Sequence, residues 1–414
     1  MTTSSPEILE SQSCEISPAP PPVVEGFAEP ASLALTALEL PPRSAWVEID
    51  LKRLRRNFAL IALDKPPGVE VVSVVKDEGY GHGAQAVAEA ALAAGATFLA
   101  LGTLEEAMSL RDRGMRCRML LLGDRSESEL SWCVDYDLTC CVSEAGTAHK
   151  LGELAARAGK RVPVHLKVNT GMNRYGVHWR EAAALAEVIR STRSLLLEGA
   201  MTHFAQSDET DKTFALLQLA RFNAVLDTMA KQGLNPKLRH ACNSGGFLDL
   251  PPAHFEMVRL GLLPLGVFPS SVCRRLPGIE PVMAVKARIA AVQELEPGDS
   301  VGYGMHYTAV SRRRLAVLPI GYGDGFPRVR NQGCALIHGR RAPLIGGVAM
   351  DAITVDITDI PAAQPGDEAV LMGRQGAEEI LVQEVARLKN SVSYDVLTGW
   401  RARLPRIYLH RNAS

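Results

Sequence analysis

Short apolar segments alternate with longer helical segments between residues 71 and 261, and this alternation limits the possible folds more than any other feature. Most of the apolar segments are separated by stretches with helical periodicity, such as Ala84–Ala94, Leu104–Arg113 and Phe214–Gln232. Because strands that alternate with helices form parallel sheets with crossover helices, eight such units predict an α/β fold, a closed (β/α)8 barrel of the TIM type. The eight predicted strands are Val71–Lys76, Phe98–Gly102, Met119–Gly123, Leu138–Ser143, Val162–Val168, Glu198–Phe204, Leu238–Asn243 and Met257–Gly261.

The pattern changes after about residue 280, where short segments rich in Val and Ile are separated by turns such as Glu-Pro-Gly-Asp and Gln-Pro-Gly-Asp. This pattern predicts a mostly-β C-terminal domain over residues 281–414, after a barrel domain over residues 43–280. One late helix is predicted at Val382–Lys389, and the early run Ala45–Leu51 alternates like a strand that pairs with the second domain. The strand segments of the second domain are Val285–Leu295, Arg314–Ile320, Ala335–Ile337 and Glu368–Leu371.

Residues 1–42 differ from the rest of the chain in composition, with eight prolines, six glutamates and no basic residue before Arg43. Such a segment predicts a disordered, mildly acidic extension, in which Ala31–Leu40 is one candidate short helix. It lacks the positively charged start of a secretory signal and the arginines of a transit peptide. No apolar run approaches the roughly 18 residues of a membrane helix. The sequence therefore predicts a cytoplasmic protein without a membrane partner.

The formal net charge of −1 argues against a nucleic-acid partner, because such a partner requires a basic surface that neutralises phosphates. The eight cysteines include no Cys-x-x-Cys pair, so neither a disulfide framework nor a zinc site is expected, and no metal is assigned. The length of 414 residues allows two or three domains with full cores.

Polar side chains follow several predicted strands at the rim where barrel enzymes place their working residues. Lys76 comes directly after the run Val-Val-Ser-Val-Val. A lysine that is desolvated there has a lowered pKa and forms Schiff bases readily, whereas a lysine that reaches the surface has no such role. The polar residues at the strand ends are Lys76, Lys167 with Arg174, His203, Asn243 with Ser244, and Arg259 with Gly261.

A candidate phosphate site follows the last two predicted strands. Asn243 and Ser244 precede two glycines, and small residues leave backbone N–H groups free to hold a phosphate. Gly261 and Leu262 add further backbone donors after the eighth strand. Such a quartet is often a plain loop, but barrel phosphate sites commonly lie at this place. A lysine suited to a Schiff base and a phosphate site on one rim together suggest pyridoxal phosphate.

Several segments in order along the chain resemble the alanine racemase family. The resemblance extends from about Ala45 to Tyr408 and leaves only the N-terminal segment outside it. Each segment alone is a weak signal, but their common order makes the resemblance specific. The segments are Val-Val-Lys-Asp-Glu-Gly-Tyr-Gly-His-Gly (74–83), Leu-Lys-Val-Asn-Thr-Gly-Met-Asn-Arg-Tyr-Gly (166–176), Met-Thr-His-Phe-Ala (201–205), Asn-Ser (243–244), Met-Val-Arg-Leu-Gly (257–261), Val-Gly-Tyr-Gly (301–304), Pro-Ile-Gly-Tyr-Gly-Asp-Gly (319–325) and Met-Asp (350–351).

The resemblance implies a pyridoxal-phosphate-dependent homodimer with shared active sites that interconverts L-alanine and D-alanine, supplying D-alanine for peptidoglycan. Lys76 would bind the cofactor as a Schiff base and serve as one base. Tyr303, from the β domain of the other subunit, would be the base on the opposite face, since inversion needs two such groups. Arg259 would face the pyridine nitrogen and, because an arginine keeps its proton, would leave that nitrogen neutral. His203 would contact the cofactor ring near Tyr303.

The resemblance also assigns roles to the rest of the candidate site. Arg174 would bind the phenolic oxygen of the cofactor and the substrate carboxylate, and Lys167 matches a lysine that is often carbamylated in this family. The residues that would hold the cofactor besides Lys76, Arg174, His203 and Arg259 are Tyr80, Asn243, Ser244, Gly261 and Leu262. Met350 would line the substrate site of the partner subunit, and Tyr322 would narrow the entrance.

This sequence departs from the family pattern at several positions. Asp77-Glu78-Gly79 replaces the usual Ala-Asn-Ala, Asn169 stands where Asp is commoner, and Ala402 aligns with a tyrosine that contacts phosphate in many members. Asn169 and Ala402 keep open a broad-spectrum or serine-preferring racemase with the same machinery. A cofactor-carrier protein on a lone barrel would lack residues 281–414, and Arg259 argues against a decarboxylase of related design.

Overall fold

The computed structural model describes residues 43–410, so residues 1–42, with the candidate helix Ala31–Leu40, lie outside the described part of the chain. The strands are β1 Ala45–Asp50, β2 Glu70–Val74, β3 Phe98–Leu101, β4 Arg118–Leu121, β5 Thr139–Val142, β6 Val162–Asn169, β7 Val177–His178, β8 Leu195–Met201, β9 Leu238–His240, β10 Met257–Leu260, β11 Met283–Arg288, β12 Ala291–Leu295, β13 Ser300–Val301, β14 Tyr307–Thr308, β15 Arg313–Leu318, β16 Cys334–Ile337, β17 Arg340–Pro343, β18 Ile353–Asp356, β19 Glu368–Gln375, β20 Glu378–Ile380 and β21 Arg406–Leu409. The helical segments are α1 Leu51–Asp64, α2 Lys76–Tyr80, α3 Ala84–Ala93, α4 Leu104–Asp112, α5 Glu127–Asp135, α6 Ala145–Arg157, α7 Ala182–Ser191, α8 Thr213–Lys231, α9 Ser244–Asp249, α10 Val382–Lys389 and α11 Ser393–Gly399.

Eight parallel strands form a nearly closed barrel in the order β10-β2-β3-β4-β5-β6-β8-β9. Strand β10 pairs with β2, and the backbone N–H of Arg259 donates to the carbonyl of Cys242 at 3.0 Å, which links β10 to the end of β9. The predicted (β/α)8 barrel is therefore confirmed, and all eight predicted strands are present. Several end earlier than predicted, because their last polar residues belong to the loops of the rim.

Alternate residues of the barrel strands point into the barrel, as the two-residue period of a strand requires. Strand β6 contributes His165 and Lys167, and β10 contributes Met257 and Arg259, all of them buried. The carboxyl-terminal half of the interior is therefore polar, whereas an apolar cluster fills much of the rest. That cluster consists of Val72, Val74, Phe98, Ala100, Leu120, Cys141, Met201, Leu238 and Met257.

The second domain is mostly β, with a sheet in the order β17-β16-β19-β11-β1-β21. Strand β1 pairs antiparallel with β11 and parallel with β21, which confirms the expected pairing of the early strand with this domain. The range 43–280 therefore includes one strand of the β domain. The predicted strand Val285–Leu295 is two strands, because β11 belongs to this sheet and β12 pairs with β15 in another.

Two late helices bring the β domain to the barrel rim. Helix α10 has the predicted bounds, and α11 was not predicted. A Cβ at Gly81 would lie 2.3 Å from the carbonyl oxygen of Leu397, so the glycine permits the close approach of α11 to the turn after β2. Within residues 43–410, no helix is long and apolar enough to cross a membrane.

Candidate active site

A cleft of about 580 Å³ opens at the carboxyl-terminal ends of the barrel strands. Ten residues that the sequence singled out lie around it, although they come from five different places in the chain. The structure therefore brings the barrel part of the predicted site together. These residues are Lys76, Tyr80, Lys167, Arg174, His203, Asn243, Ser244, Arg259, Gly261 and Leu262.

The segment that carries Lys76 turns in an unusual backbone conformation. Asp77, Glu78, Gly79 and Tyr80 all have φ between 52° and 59°, so the turn is left-handed, and only one of the four residues is glycine. A non-glycine residue in this region costs of order 1–3 kcal/mol, and such strain persists only where the surroundings impose it. Here it is held by backbone hydrogen bonds of about 2.9 Å, from Gly79 to Val75 and from Gly81 to Asp77.

Glu106 fastens the beginning of this turn. Its carboxylate accepts hydrogen bonds from the backbone N–H of Asp77 and, at 2.8 Å, from that of Gly102. It also completes a capping box with Thr103 at the start of α4. The same side chain therefore fixes the α4 terminus and the backbone next to Lys76.

The electrostatic surroundings of Lys76 favour its neutral amine. Burial lowers the pKa of Lys76, and the positive charge of Arg174 lowers it further, while the carboxylates of Glu106 and Asp77 act in the opposite direction. A neutral amine is the form that attacks a carbonyl and accepts a proton. Lys76 is thus suited to both Schiff-base formation and base catalysis.

Besides Lys76, the cleft contains several groups that donate hydrogen bonds. Burial raises the pKa of Tyr80 to about 12, so its phenol keeps its proton. A Cβ at Gly261 would lie 2.6 Å from the Tyr80 hydroxyl, so only glycine leaves room for this phenol. The Ser244 hydroxyl accepts from the N–H of Leu263 at 3.3 Å and keeps its own proton for a ligand. The Asn243 side-chain oxygen is used differently, since it caps α9 by accepting from Gly246 at 2.9 Å.

Arg259 is buried, and its guanidinium nitrogens are held from several sides. Nη2 donates to the carbonyls of Thr202 and Ala241 at 2.9 and 3.0 Å, and it lies 2.9 Å from Nδ1 of His203. Nη1 lies 2.9 Å from Nδ1 of His240. Burial lowers the pKa of Arg259 to about 10, which still leaves the group protonated at neutral pH.

A chain of side chains continues from Arg259 through the barrel interior. Nε2 of His240 lies 2.8 Å from Nδ1 of His165, and Nε2 of His165 lies 3.4 Å from a carboxylate oxygen of Glu198. Because arginine only donates and a carboxylate only accepts, one arrangement of protons satisfies every contact in the row from Arg259 through His240 and His165 to Glu198. Each neutral histidine then carries its proton on Nε2, and Nδ1 of His203 and of His240 accepts from Arg259.

Replacing Glu198 by leucine tests this chain. The Nε2 proton of His165 would lose its acceptor, so we expect the fixed tautomers of His165 and His240 to become mixtures. A buried group without a partner also costs about 1–3 kcal/mol of unfolding free energy. The tautomers are measured by ¹⁵N NMR of labelled histidines and the stability by urea unfolding. Glu198→Gln is the matched control, since its amide oxygen still accepts, and unchanged tautomers in Glu198→Leu would contradict the chain.

Lys167 is buried beside two guanidinium groups. Burial lowers its pKa to about 7, and the positive charges of Arg259 and Arg174 contribute. Within residues 43–410, no hydrogen bond or ion pair links its amine to another side chain. The amine is therefore largely neutral above pH 7, where a free lysine is charged.

A substitution at Lys167 is expected to change the pH dependence of stability. The folded-state pKa of about 7 lies below the ordinary lysine value of 10.5, so the unfolded chain binds more protons between these values. The buried amine therefore destabilises the folded protein fully below pH 7, and this destabilisation disappears as the pH rises towards 10.5. We expect the unfolding free energy of the wild type to rise through this range relative to that of Lys167→Met, measured by urea unfolding in bicarbonate-free buffer. If the unfolding free energies of the wild type and of Lys167→Met changed with pH in parallel, the lowered pKa of Lys167 would be contradicted.

Three of the predicted site residues do not line this cleft within the single chain. Tyr303 lies on a short turn of the β domain with 84% of its surface exposed, and Met350 is 51% exposed. Tyr322 lines a separate pocket with Arg328, whose guanidinium lies 5.8 Å from the tyrosine ring centre. These side chains lie at the surface of the β domain.

Several residues of the site were not predicted from the sequence. Tyr394 of α11 lines the cleft, whereas Ala402, the position that the resemblance aligned with a phosphate-contacting tyrosine, is exposed. No short-range pattern indicates which distant helix reaches the rim. His165 and His240 could have been found, since inward residues recur every second position along β6 and β9.

Models of known families match most of the chain. A family model described as the N-terminal domain of alanine racemase matches residues 49–269, and one described as its C-terminal domain matches residues 282–408. The two matches together cover the barrel and the β domain.

Relatives and solved structures give the same result. An alanine racemase from Halothermothrix orenii is 37% identical over 89% of this chain and 98% of its own length. Another from Symbiobacterium thermophilum is 38% identical over 88% of this chain and 97% of its own. The structure resembles that of alanine racemase from D-cycloserine-producing Streptomyces lavendulae, with a TM-score of 0.85, 33% identity, and coverage of 90% and 98% of the two chains.

Proposed function

The chain belongs to the alanine racemase family, and from this premise we propose that it interconverts L-alanine and D-alanine with pyridoxal phosphate held in the rim cleft. The observation that carries the proposal is the single cleft that combines a lysine of lowered pKa, a buried arginine and a cluster of hydroxyl donors. Production of D-alanine for peptidoglycan is part of the proposal and follows from membership of the family.

The residues of the cleft fit pyridoxal phosphate. A phosphate needs donors, and the Tyr80 phenol, the Ser244 hydroxyl and the backbone at Gly261 and Leu262 offer them at one end. An aldehyde reacts with an amine that has lost its proton, and Lys76, whose pKa is lowered, lies in the same cleft. When bound, the cofactor supplies an electron sink for the pair of electrons left when the substrate Cα loses its proton.

The side chains of the cleft then have distinct roles. The amine of Lys76 accepts or donates a proton on one face of the substrate Cα, since its lowered pKa suits both directions. Arg174, exposed at the cleft mouth, offers a bidentate guanidinium to the substrate carboxylate. Arg259 keeps its own proton and so leaves a facing ring nitrogen neutral, which limits delocalisation of charge and favours return of the proton to Cα.

The base on the opposite face is proposed to come from a second copy of the chain. Tyr303, Met305 and Met350 are large side chains exposed on the β domain, and exposed apolar groups of this kind commonly mark an interface. In a two-fold dimer the same patch meets the same partner surface on both sides, so each cleft receives one Tyr303. His203 lies at the cleft, and burial holds its pKa well below 6.5, so it is a neutral partner for that phenol.

Lys167 is proposed to react with carbon dioxide and form a carbamate. A neutral amine is the reactive form, and the resulting negative charge would lie beside Arg259 and Arg174. The Asn169 side chain holds its own loop by accepting from the N–H groups of Gly171 and Asn173 at 3.0 and 3.1 Å. A carbamate carbon signal after incubation with ¹³C-bicarbonate, absent in Lys167→Met, would support this proposal, and its absence from the wild type would contradict it.

The activity is tested by circular dichroism of L-alanine and, separately, of D-alanine incubated with the cofactor-loaded protein. We expect the dichroism signal to fall to zero whether the reaction starts from L-alanine or from D-alanine, and we expect the alanine to be recovered in full. A signal that persists with bound cofactor would favour the carrier protein, and release of carbon dioxide would favour a decarboxylase. Comparing kcat/KM for alanine, serine and lysine decides between an alanine racemase and a broader or serine-preferring enzyme, for which no feature of the described site gives a preference.

A further inference from the structure

A second concave site lies at the opposite end of the barrel, where the strands begin. It has a volume of about 380 Å³ and is formed around the first residues of β4, β5 and β6. We call it the basal pocket. Its lining includes five basic residues and one acidic residue, although the whole chain has a net charge of −1. The charged residues are Arg111, Arg116, Arg118, Lys160, Arg161 and Asp137.

Two of the basic residues have structural tasks. The Arg111 guanidinium donates to the carbonyls of Met115, Cys117 and Tyr136 at 2.7–3.0 Å, which joins helix ends below the strands. Lys160 pairs with the acidic residue of the pocket, Asp137, at 2.8 Å. These two cations are therefore largely satisfied by protein groups.

The other three arginines are exposed and retain unused donors. Arg116 donates through Nη1 alone, to backbone carbonyls, and Arg161 donates through Nε alone, to the carbonyl of Leu195. Within residues 43–410, neither has an acidic partner. Arg118 pairs with Glu198 through Nη2, and its guanidinium lies 3.9 Å from the ring centre of Phe98.

Like charges placed around one concavity repel each other, and a bound anion removes the repulsion. Burial lowers the pKa of Arg111, and the charge of Arg116 lowers it further, while Asp137 acts in the opposite direction. Guanidinium groups present paired N–H donors that match phosphate oxygens, and a pocket of this size accommodates a diphosphate. From this arrangement we propose that the basal pocket binds small phosphate-bearing anions, with Arg116, Arg118 and Arg161 as the ligating residues.

Calorimetric titration of the cofactor-loaded, full-length protein with pyrophosphate at low ionic strength tests the proposal. One equivalent should bind, and the double variant Arg116→Gln/Arg161→Gln should bind about tenfold more weakly or worse, because two charge-assisted contacts are lost. The matched control is Arg190→Gln/Arg374→Gln, which removes two exposed arginines elsewhere and should bind as the wild type does. Equal weakening in both double variants, or no binding to the wild type, would overturn the proposal.

Further titrations distinguish the source of the phosphate. Adenosine diphosphate and pyrophosphate present the same diphosphate, and adenosine lacks it. Equal affinity for the first two and none for adenosine assigns recognition to the phosphates, whereas binding of adenosine alone or equal binding of malonate would refute a phosphate site. Racemisation of alanine is measured separately for each variant, so failure of the basal pocket and failure of the proposed activity are distinguishable.

Discussion

Replacing Lys76 by alanine is expected to abolish racemisation in both directions. The loss should exceed the roughly 10²–10⁴-fold that removal of a general base causes, because the same amine also anchors the cofactor. Its lowered pKa and its place at the end of β2 suit both tasks. The measurement is the initial rate from L-alanine and from D-alanine, together with the absorbance of the bound cofactor.

The control for this experiment is Lys52→Ala, which removes an exposed lysine from α1 and leaves the cleft intact. Its rates and its cofactor absorbance should equal those of the wild type. A Lys76→Ala protein that folds, binds cofactor with unchanged absorbance and retains full activity would disprove the assignment of Lys76.

Replacing Tyr303 by phenylalanine is expected to slow racemisation by about 10²–10⁴-fold while leaving cofactor binding unchanged. The hydroxyl is the only group removed, and the side chain is exposed on the β domain, so the fold should be unaffected. The measurements are the rates from both enantiomers and the cofactor affinity. Wild-type rates from both would show that this phenol is not a base.

Mixing the two inactive variants tests whether Tyr303 acts on the partner subunit. In a two-fold dimer that contains one Lys76→Ala chain and one Tyr303→Phe chain, one cleft receives both intact groups and the other receives neither. Random exchange of subunits should therefore restore about one quarter of the wild-type activity. If the tyrosine acted within its own chain, every cleft would lack one group and no activity would return.

The barrel and most of its rim could be predicted from the sequence, because strand patterning and the strand-end rule are local. Lys76, His203 and Arg259 each follow or end a recognisable strand, and all three line the cleft. The strand pairing of Ala45–Asp50 was also accessible, since its alternation differs from that of the barrel strands.

The rest depends on contacts between distant parts of the chain. The sequence indicates Glu106 only as an ordinary helix cap, and its hydrogen bond with the backbone N–H of Asp77 depends on the fold. Tyr394 reaches the cleft because α11 packs on the turn at Gly81, and this approach depends on the docking of two domains. His165 and His240 are an exception: they lie two and three residues before rim residues, where the strand-end rule does not apply, but the inward alternation of β6 and β9 could have indicated them.

The row of side chains from Glu198 to Arg259 makes the reaction chemistry hard to alter by one substitution. If residue 259 were a carboxylate, an acceptor would stand at both ends of the row, and one of the two intervening histidines would have to take up a second proton. Burial lowers the pKa of both His165 and His240, so that extra proton is unfavourable. A change towards transaminase or decarboxylase chemistry in this scaffold would thus require coordinated replacements that extend as far as Glu198 in the middle of β8.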